Sequence, residues 1–151
     1  MSAYHLRSAL GASLFALAGF ALAPAGAQTT AGTSGTAQGQ DVSASTCGQG
    51  TTTSTSVDVS GCADATAADG GTVNTSNRAR TNGTVGVQHS RATAVDEDER
   101  ARSMTNTHAR RDGAVRSRTM TWYKEKGERP VRQVTTDSSA PQQTTPKKKP
   151  R

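Results

Sequence analysis

Ala114-Val115-Arg116-Ser117-Arg118-Thr119-Met120-Thr121-Trp122-Tyr123-Lys124-Glu125-Lys126-Gly127-Glu128-Arg129-Pro130-Val131-Arg132-Gln133-Val134-Thr135-Thr136 is where this 151-residue chain comes nearest to declaring a regular structure. Successive side chains of an extended strand point to opposite sides. Arg116, Arg118, Met120 and Trp122 therefore share one face, and Val115, Ser117, Thr119, Thr121 and Tyr123 share the other. The charged run from Lys124 to Pro130 interrupts the pattern, and Val131 to Thr135 resumes a β-leaning composition, which predicts a hairpin over 114–136. A two-stranded hairpin is marginal in water, so a partner, self-association or the disulfide loop has to hold it. Its Arg, Met and Trp face combines positive charge with an aromatic platform, the combination that holds single-stranded nucleic acid or another anionic polymer. Arg116, Arg118 and Trp122 are candidate polyanion contacts, although an ordinary amphipathic strand accounts for the same pattern.

Towards the C-terminus, residues 137–151 form a Pro- and Lys-rich tail in which Lys147, Lys148, Lys149 and Arg151 extend the candidate polyanion contacts. Towards the N-terminus, residues 64–113 read as a low-complexity and charged segment. Within it, Asn82-Gly83 suits a tight turn between two short β-leaning pieces. Asp96-Glu97-Asp98-Glu99-Arg100-Ala101-Arg102 has the acid-then-base order that a helix favours, without an apolar stripe to anchor one. Residues 46–63 contain the only two cysteines, Cys47 and Cys62, and in an exported chain the natural inference is one disulfide. Fourteen residues intervene, which disfavours a redox-active pair. Residues 28–45, rich in Thr, Gly, Gln, Ser and Ala, read as a flexible linker.

Residues 1–27 read as a helical secretory signal peptide: Arg7, an apolar run from about Ala9 to Ala23, then Ala25 and Ala27 before a cleavage site at Gln28. The apolar run is short of the roughly 20 residues that span a bilayer, so no transmembrane insertion is expected once the signal is removed. The short, Ala-rich pattern resembles bacterial Sec signals and implies a periplasmic or secreted protein.

Every Leu and Phe lies between Leu6 and Leu22, and there is no Ile. After Gln28 the larger apolar side chains are ten Val, two Met, one Trp and one Tyr, against 23 Thr and 12 Ser. That composition predicts a largely intrinsically disordered mature chain with minor β content, confined to the 114–136 hairpin and the 47–62 disulfide loop, and no sizeable globular core. Charge divides the chain: residues 28–77 hold four Asp and no Lys or Arg, whereas residues 78–151 hold 17 basic and 8 acidic groups. The expectation is a loose polyampholyte.

Catalytic motifs are missing. No Gly-x-Ser-x-Gly elbow or phosphate-binding Gly-rich loop occurs, and His89 and His108 lack the spacing and companions of a metal site. The expectation is a non-enzymatic exported protein without cofactor, metal or small-molecule substrate, whose basic C-terminal half contacts anionic envelope or extracellular polymers. The alternative is a small disulfide-stapled β module that folds on binding a specific periplasmic or secreted protein partner.

Overall fold

The structure is a computed structural model that describes residues 28–68 and 70–140. Eight strands follow one another: β1 (Thr29–Gln38), β2 (Val42–Thr52), β3 (Val57–Ala67), β4 (Thr72–Thr81), β5 (Val85–Val95), β6 (Glu99–Arg110), β7 (Val115–Glu125) and β8 (Val131–Ser139). They pair antiparallel in two sheets, ordered β1-β2-β3 and β4-β5-β6-β7-β8, so the chain is a meander that changes sheet once, between β3 and β4. Face to face, β2 lies over β5 and β6, β1 over β7, and β3 over β5.

The reason these residues form strands is clearest in β6. Ala101, Ser103, Thr105, Thr107 and Ala109 are buried, while Arg102, Met104, Asn106, His108 and Arg110 between them face outward. The alternation has the period of two that a half-buried strand requires, but it is an alternation of small against long side chains. Ala and Val form two apolar clusters at the ends of the interior, one around Ala44, Ala92, Ala94 and Ala101, the other around Ala31, Val57, Ala109 and Val115.

Between those clusters the interior is a network of hydroxyls. Thr46 shares hydrogen bonds with Ser103 (2.6 Å) and Thr105 (2.8 Å), and Thr105 with Thr119 (2.6 Å). Thr119 meets Thr33 (2.7 Å), Thr33 meets Ser117 (2.8 Å), and Ser117 meets Thr107 (2.9 Å). Ser103 donates to the carbonyl of Gly35 at 2.9 Å. A buried hydroxyl costs about 1–3 kcal/mol only when it lacks a partner, so these paired Thr and Ser fill the core without that penalty, whereas Thr52 Oγ1 is buried with no partner among the described residues. Small residues also bring the sheets together. A Cβ at Gly48 would lie 2.6 Å from the Thr105 methyl, so only glycine fits there.

Side chains close the two open seams. Asn77 and Thr81 of β4 donate to the carbonyls of Gly61 and Val57 on β3 (2.6 and 2.9 Å). Across the other seam, Asp137 of β8 accepts from the Gly32 amide (3.0 Å) and Ser139 donates to the Thr30 carbonyl (3.1 Å). Turns supply the rest: Gly83, at φ 78°, takes the tight β4–β5 reversal, where the Asn82 carboxamide accepts from the Thr84 and Val85 amides.

The expectation of a largely disordered chain with minor β content is overturned by these eight antiparallel strands and their packed interior. Large apolar side chains are few, but paired hydroxyls, buried Ala and continuous backbone ladders do the work assigned to a Leu- and Ile-rich core. The span 28–45 is β1 and the start of β2, and 64–113 runs from the end of β3 through β6. The 114–136 segment is not an isolated hairpin: β7 and β8 belong to the five-stranded sheet. Asp96 to Arg102 is not helical; Asp96 to Asp98 turn the chain into β6, with the Asp96 amide donating to the Glu99 carbonyl at 2.9 Å. Charge does not divide a loose polyampholyte, because the two halves form the packed sheets of one sandwich. The Cys47–Cys62 disulfide is present, joining directly opposed residues of β2 and β3. The signal peptide, its cleavage positions Ala25 and Ala27, and Lys147, Lys148, Lys149 and Arg151 lie outside the described residues.

Candidate functional site

The outer face of the five-stranded sheet is assembled by register. Directly paired residues project to the same side of a sheet, so the pairings define rungs across it. One rung reads Asn74, Thr93, Arg102, Trp122, Arg132 from β4 to β8; the next reads Ser76, Arg91, Met104, Met120, Val134. Then come Arg78, His89, Asn106, Arg118, Thr136, and beyond them Arg80, Val87, His108, Arg116, Ser138. Arg100 and Lys124 face each other at one end, and Arg110 stands opposite Val85 at the other.

This face therefore carries nine Arg and one Lys on its strands, and no Asp or Glu. The acids of the same sheet are directed elsewhere. Glu99 lies on the inner side, where it accepts from the Gln40 amide (3.2 Å), the Asp41 amide (2.9 Å) and the Tyr123 hydroxyl (2.7 Å). Burial works to raise the Glu99 carboxyl, but these donated hydrogen bonds outweigh it and hold the group below the usual carboxylate range. Tyr123 is driven well above its ordinary value, first by burial and then by the bond it donates to Glu99 and that group's charge. Asp98 pairs with Lys126 at 2.7 Å, and Asp112 with Arg110 at 3.4 Å. Among the described residues, Arg110 is the one cation of this face in a salt bridge.

Strands lie about 4.8 Å apart and rungs roughly 6.8 Å apart, so neighbouring cations stand within the ~8 Å physiological screening length. They act together rather than singly. Like charges placed directly opposite across strands, as Arg100 and Lys124 are, are destabilising in isolation. An apolar patch lies inside the field of charge: Met104, Met120 and Val134 on one rung, and Trp122 on the next. Met120 is 38 % and Val134 49 % exposed, with Trp122 half-buried beside them.

The structure brings Arg116, Arg118 and Trp122 onto one outer face, and that face extends far beyond β7. Sequence reasoning missed Arg78, Arg80, Arg91, Arg100, Arg102, Arg110, Lys124 and Arg132. The signal was there: from Arg100 to Arg110 every second residue is long or charged and every other one is small. His89 and His108 belong to the same face, and the His89 ring pairs with the Asn106 carboxamide. Among the described residues, no three His, Cys, Asp or Glu side chains gather as a metal site, and no helix is long and apolar enough to cross a membrane. Neither outer face offers the apolar band of a lipid-exposed barrel. Comparison with models of known protein families, with curated proteins and with solved structures found no match.

Proposed function

We propose that this is a non-enzymatic exported protein that binds anionic polymers of the envelope or the extracellular space through the outer face of its five-stranded sheet. One observation carries the reading: ten cations project from one sheet face that holds no acid, and nine of them have no salt-bridge partner among the described residues. Concentrating like charge on one face costs stability, and a polyanion laid across it converts that cost into affinity. Arginine dominates, and its planar fork matches phosphate, sulfate and carboxylate oxygens two at a time. The tail from Lys147 to Arg151 adds four charges to the same chain. The disulfide supports export, since such bonds persist in oxidising compartments.

Strand pairing with a specific partner protein is the weaker reading, because β3 faces β4 and β8 faces β1 across seams already bridged by side-chain hydrogen bonds. The test is binding of the oxidised chain to dextran sulfate, lipopolysaccharide and nucleic acid from low to physiological salt. Affinity should fall linearly on a log–log plot, with a slope set by the number of cations engaged. Absence of binding to all three at low salt would falsify the proposal.

A further inference from the structure

We infer that the polymer this face is built for is single-stranded nucleic acid, with a base seated on Trp122 between Arg102 and Arg132; the inference rests on the polyanion reading above. Four observations favour it over other polyanions. The chain's only Trp has an arginine directly across from it on each neighbouring strand, so indole and guanidinium planes offer three adjacent stacking surfaces. The next rung sets Met104, Met120 and Val134 beside it as an apolar floor. A sugar ring offers such a floor only its C–H face, whereas an unstacked base brings a flat π surface that stacks on indole and guanidinium alike. On the Trp122 rung, Arg102 Nε and Thr93 Oγ1 are shielded from solvent and have no hydrogen-bond partner among the described residues. A ligand's edge or phosphate satisfies them only by displacing the side chains that cover them.

The last observation concerns shape. The sheet face has no element that enters a duplex groove, and bases in a duplex are stacked out of reach of Trp122. The Asp96-Glu97-Asp98 turn adds three acids to the edge of the sheet nearest Trp122, so an anionic membrane laid flat over the whole face would also lie against this acidic edge. A single strand lies across the rungs and avoids that turn.

The experiment uses the oxidised chain and four probes: an oligothymidylate of about 15 nucleotides, the upper range for one binding fold, an abasic strand of equal length, the corresponding duplex, and phosphatidylglycerol vesicles. Trp122 fluorescence reports directly on the site. Oligothymidylate should quench it and bind about tenfold more tightly than the abasic strand, the low end of base–aromatic stacking. Trp122→Leu should erase that preference without weakening abasic binding. The double substitution Arg102→Lys and Arg132→Lys keeps the charge and should reduce the preference severalfold through loss of planarity alone. Equal affinity for abasic and base-bearing strands, with unquenched Trp122, overturns the inference and leaves the polyanion reading standing. Tighter binding to the duplex or to vesicles overturns it in favour of that ligand. Failure of all four probes overturns the inference, while the polyanion reading then stands or falls on dextran sulfate and lipopolysaccharide.

Discussion

The outer faces of the two sheets share a scaffold and almost nothing else. On the three-stranded sheet the outward positions are Thr30, Ser34, Thr36 and Gln38 on β1, Ser43, Ser45, Gln49 and Thr51 on β2, and Asp58, Ser60, Asp64 and Thr66 on β3, with the disulfide at the centre. That face has two acids and no base; the opposite one has ten bases and no acid. Both sheets meet over the same interior of Ala, Ser, Thr and Gly, so the interior does not require the difference. A polar surface does not require it either, since the Ser- and Thr-rich face is polar with little net charge. The polyanion proposed above would offset the self-repulsion of this one-sided concentration of arginine.

The sharpest way to break this comparison is to reverse charge on one face only. Arg102→Glu, Arg116→Glu and Arg118→Glu together should lower polyanion affinity at physiological salt by at least about 100-fold, taking charge contacts at ~1 kcal/mol or more each. Circular dichroism should still show a β-sheet protein, because all three side chains lie on the outer face of their strands. Asp58→Lys with Asp64→Lys, on the opposite face, should leave affinity within about twofold. Equal losses from the two sets would mean that net charge, rather than a face, does the binding.

One strand of this face was open to a reader of the sequence. Arg116, Arg118, Met120 and Trp122 alternate with Val115, Thr119 and Tyr123, and Val and Tyr make the buried side conspicuous. The strands before β7 hide the same alternation. In β6 the buried positions are Ala, Ser and Thr, which resemble linker composition when each is judged by hydropathy alone. What separates them from linker is the regular contrast with Arg102, Met104, His108 and Arg110, and the pairing of their hydroxyls to partners up to 68 residues away, as Ser103 donates to the Gly35 carbonyl. Partners at that separation leave no local trace. The acidic run at Asp96 points to a helix by charge order, but the sheet on either side makes it a turn.

The next test bears on the other face. Replacing Cys47 and Cys62 by Ser removes a bridge between residues 15 apart in sequence, and should cost about 3 kcal/mol on the loop-entropy scale. The check is a urea titration. Because the bridge lies on the face without bases, the folded fraction should bind polyanions as before. A loss of affinity in the folded protein would mean that the two faces are coupled through the sandwich.

The interior that both faces share is tested by Thr119→Val, a near-isosteric exchange that deletes one hydroxyl. Thr33 and Thr105 each lose a hydrogen bond, but Thr33 keeps Ser117 and Thr105 keeps Thr46. The expected cost is about 1–2 kcal/mol, within the range for a disturbed buried hydrogen bond. An unchanged or raised urea midpoint would show that the hydroxyl network is tolerated rather than stabilising.

The smallest effect concerns the contact that ties the sheets together beside the basic face. Glu99 and Tyr123 belong to the five-stranded sheet, and the Gln40 and Asp41 amides that Glu99 accepts from belong to the β1–β2 turn of the other. The folded state holds the Glu99 carboxyl below its ordinary 4.5, so its contribution is present above that pH and is lost as pH falls through the lower folded value. Tyr123 is held above its ordinary 10.0, so its contribution is present below pH 10 and is lost as pH climbs towards the folded value. Stability should therefore be flat between these limits and decline on both sides. Glu99→Gln should flatten the acid limb and shrink the alkaline one, because the carboxylate that raises Tyr123 is gone while burial still opposes its ionisation. If the acid limb is as steep in the variant as in the parent, other acids set it, and the apolar cluster around Val42, Ala44, Ala94 and Ala101 holds that end without help from Glu99.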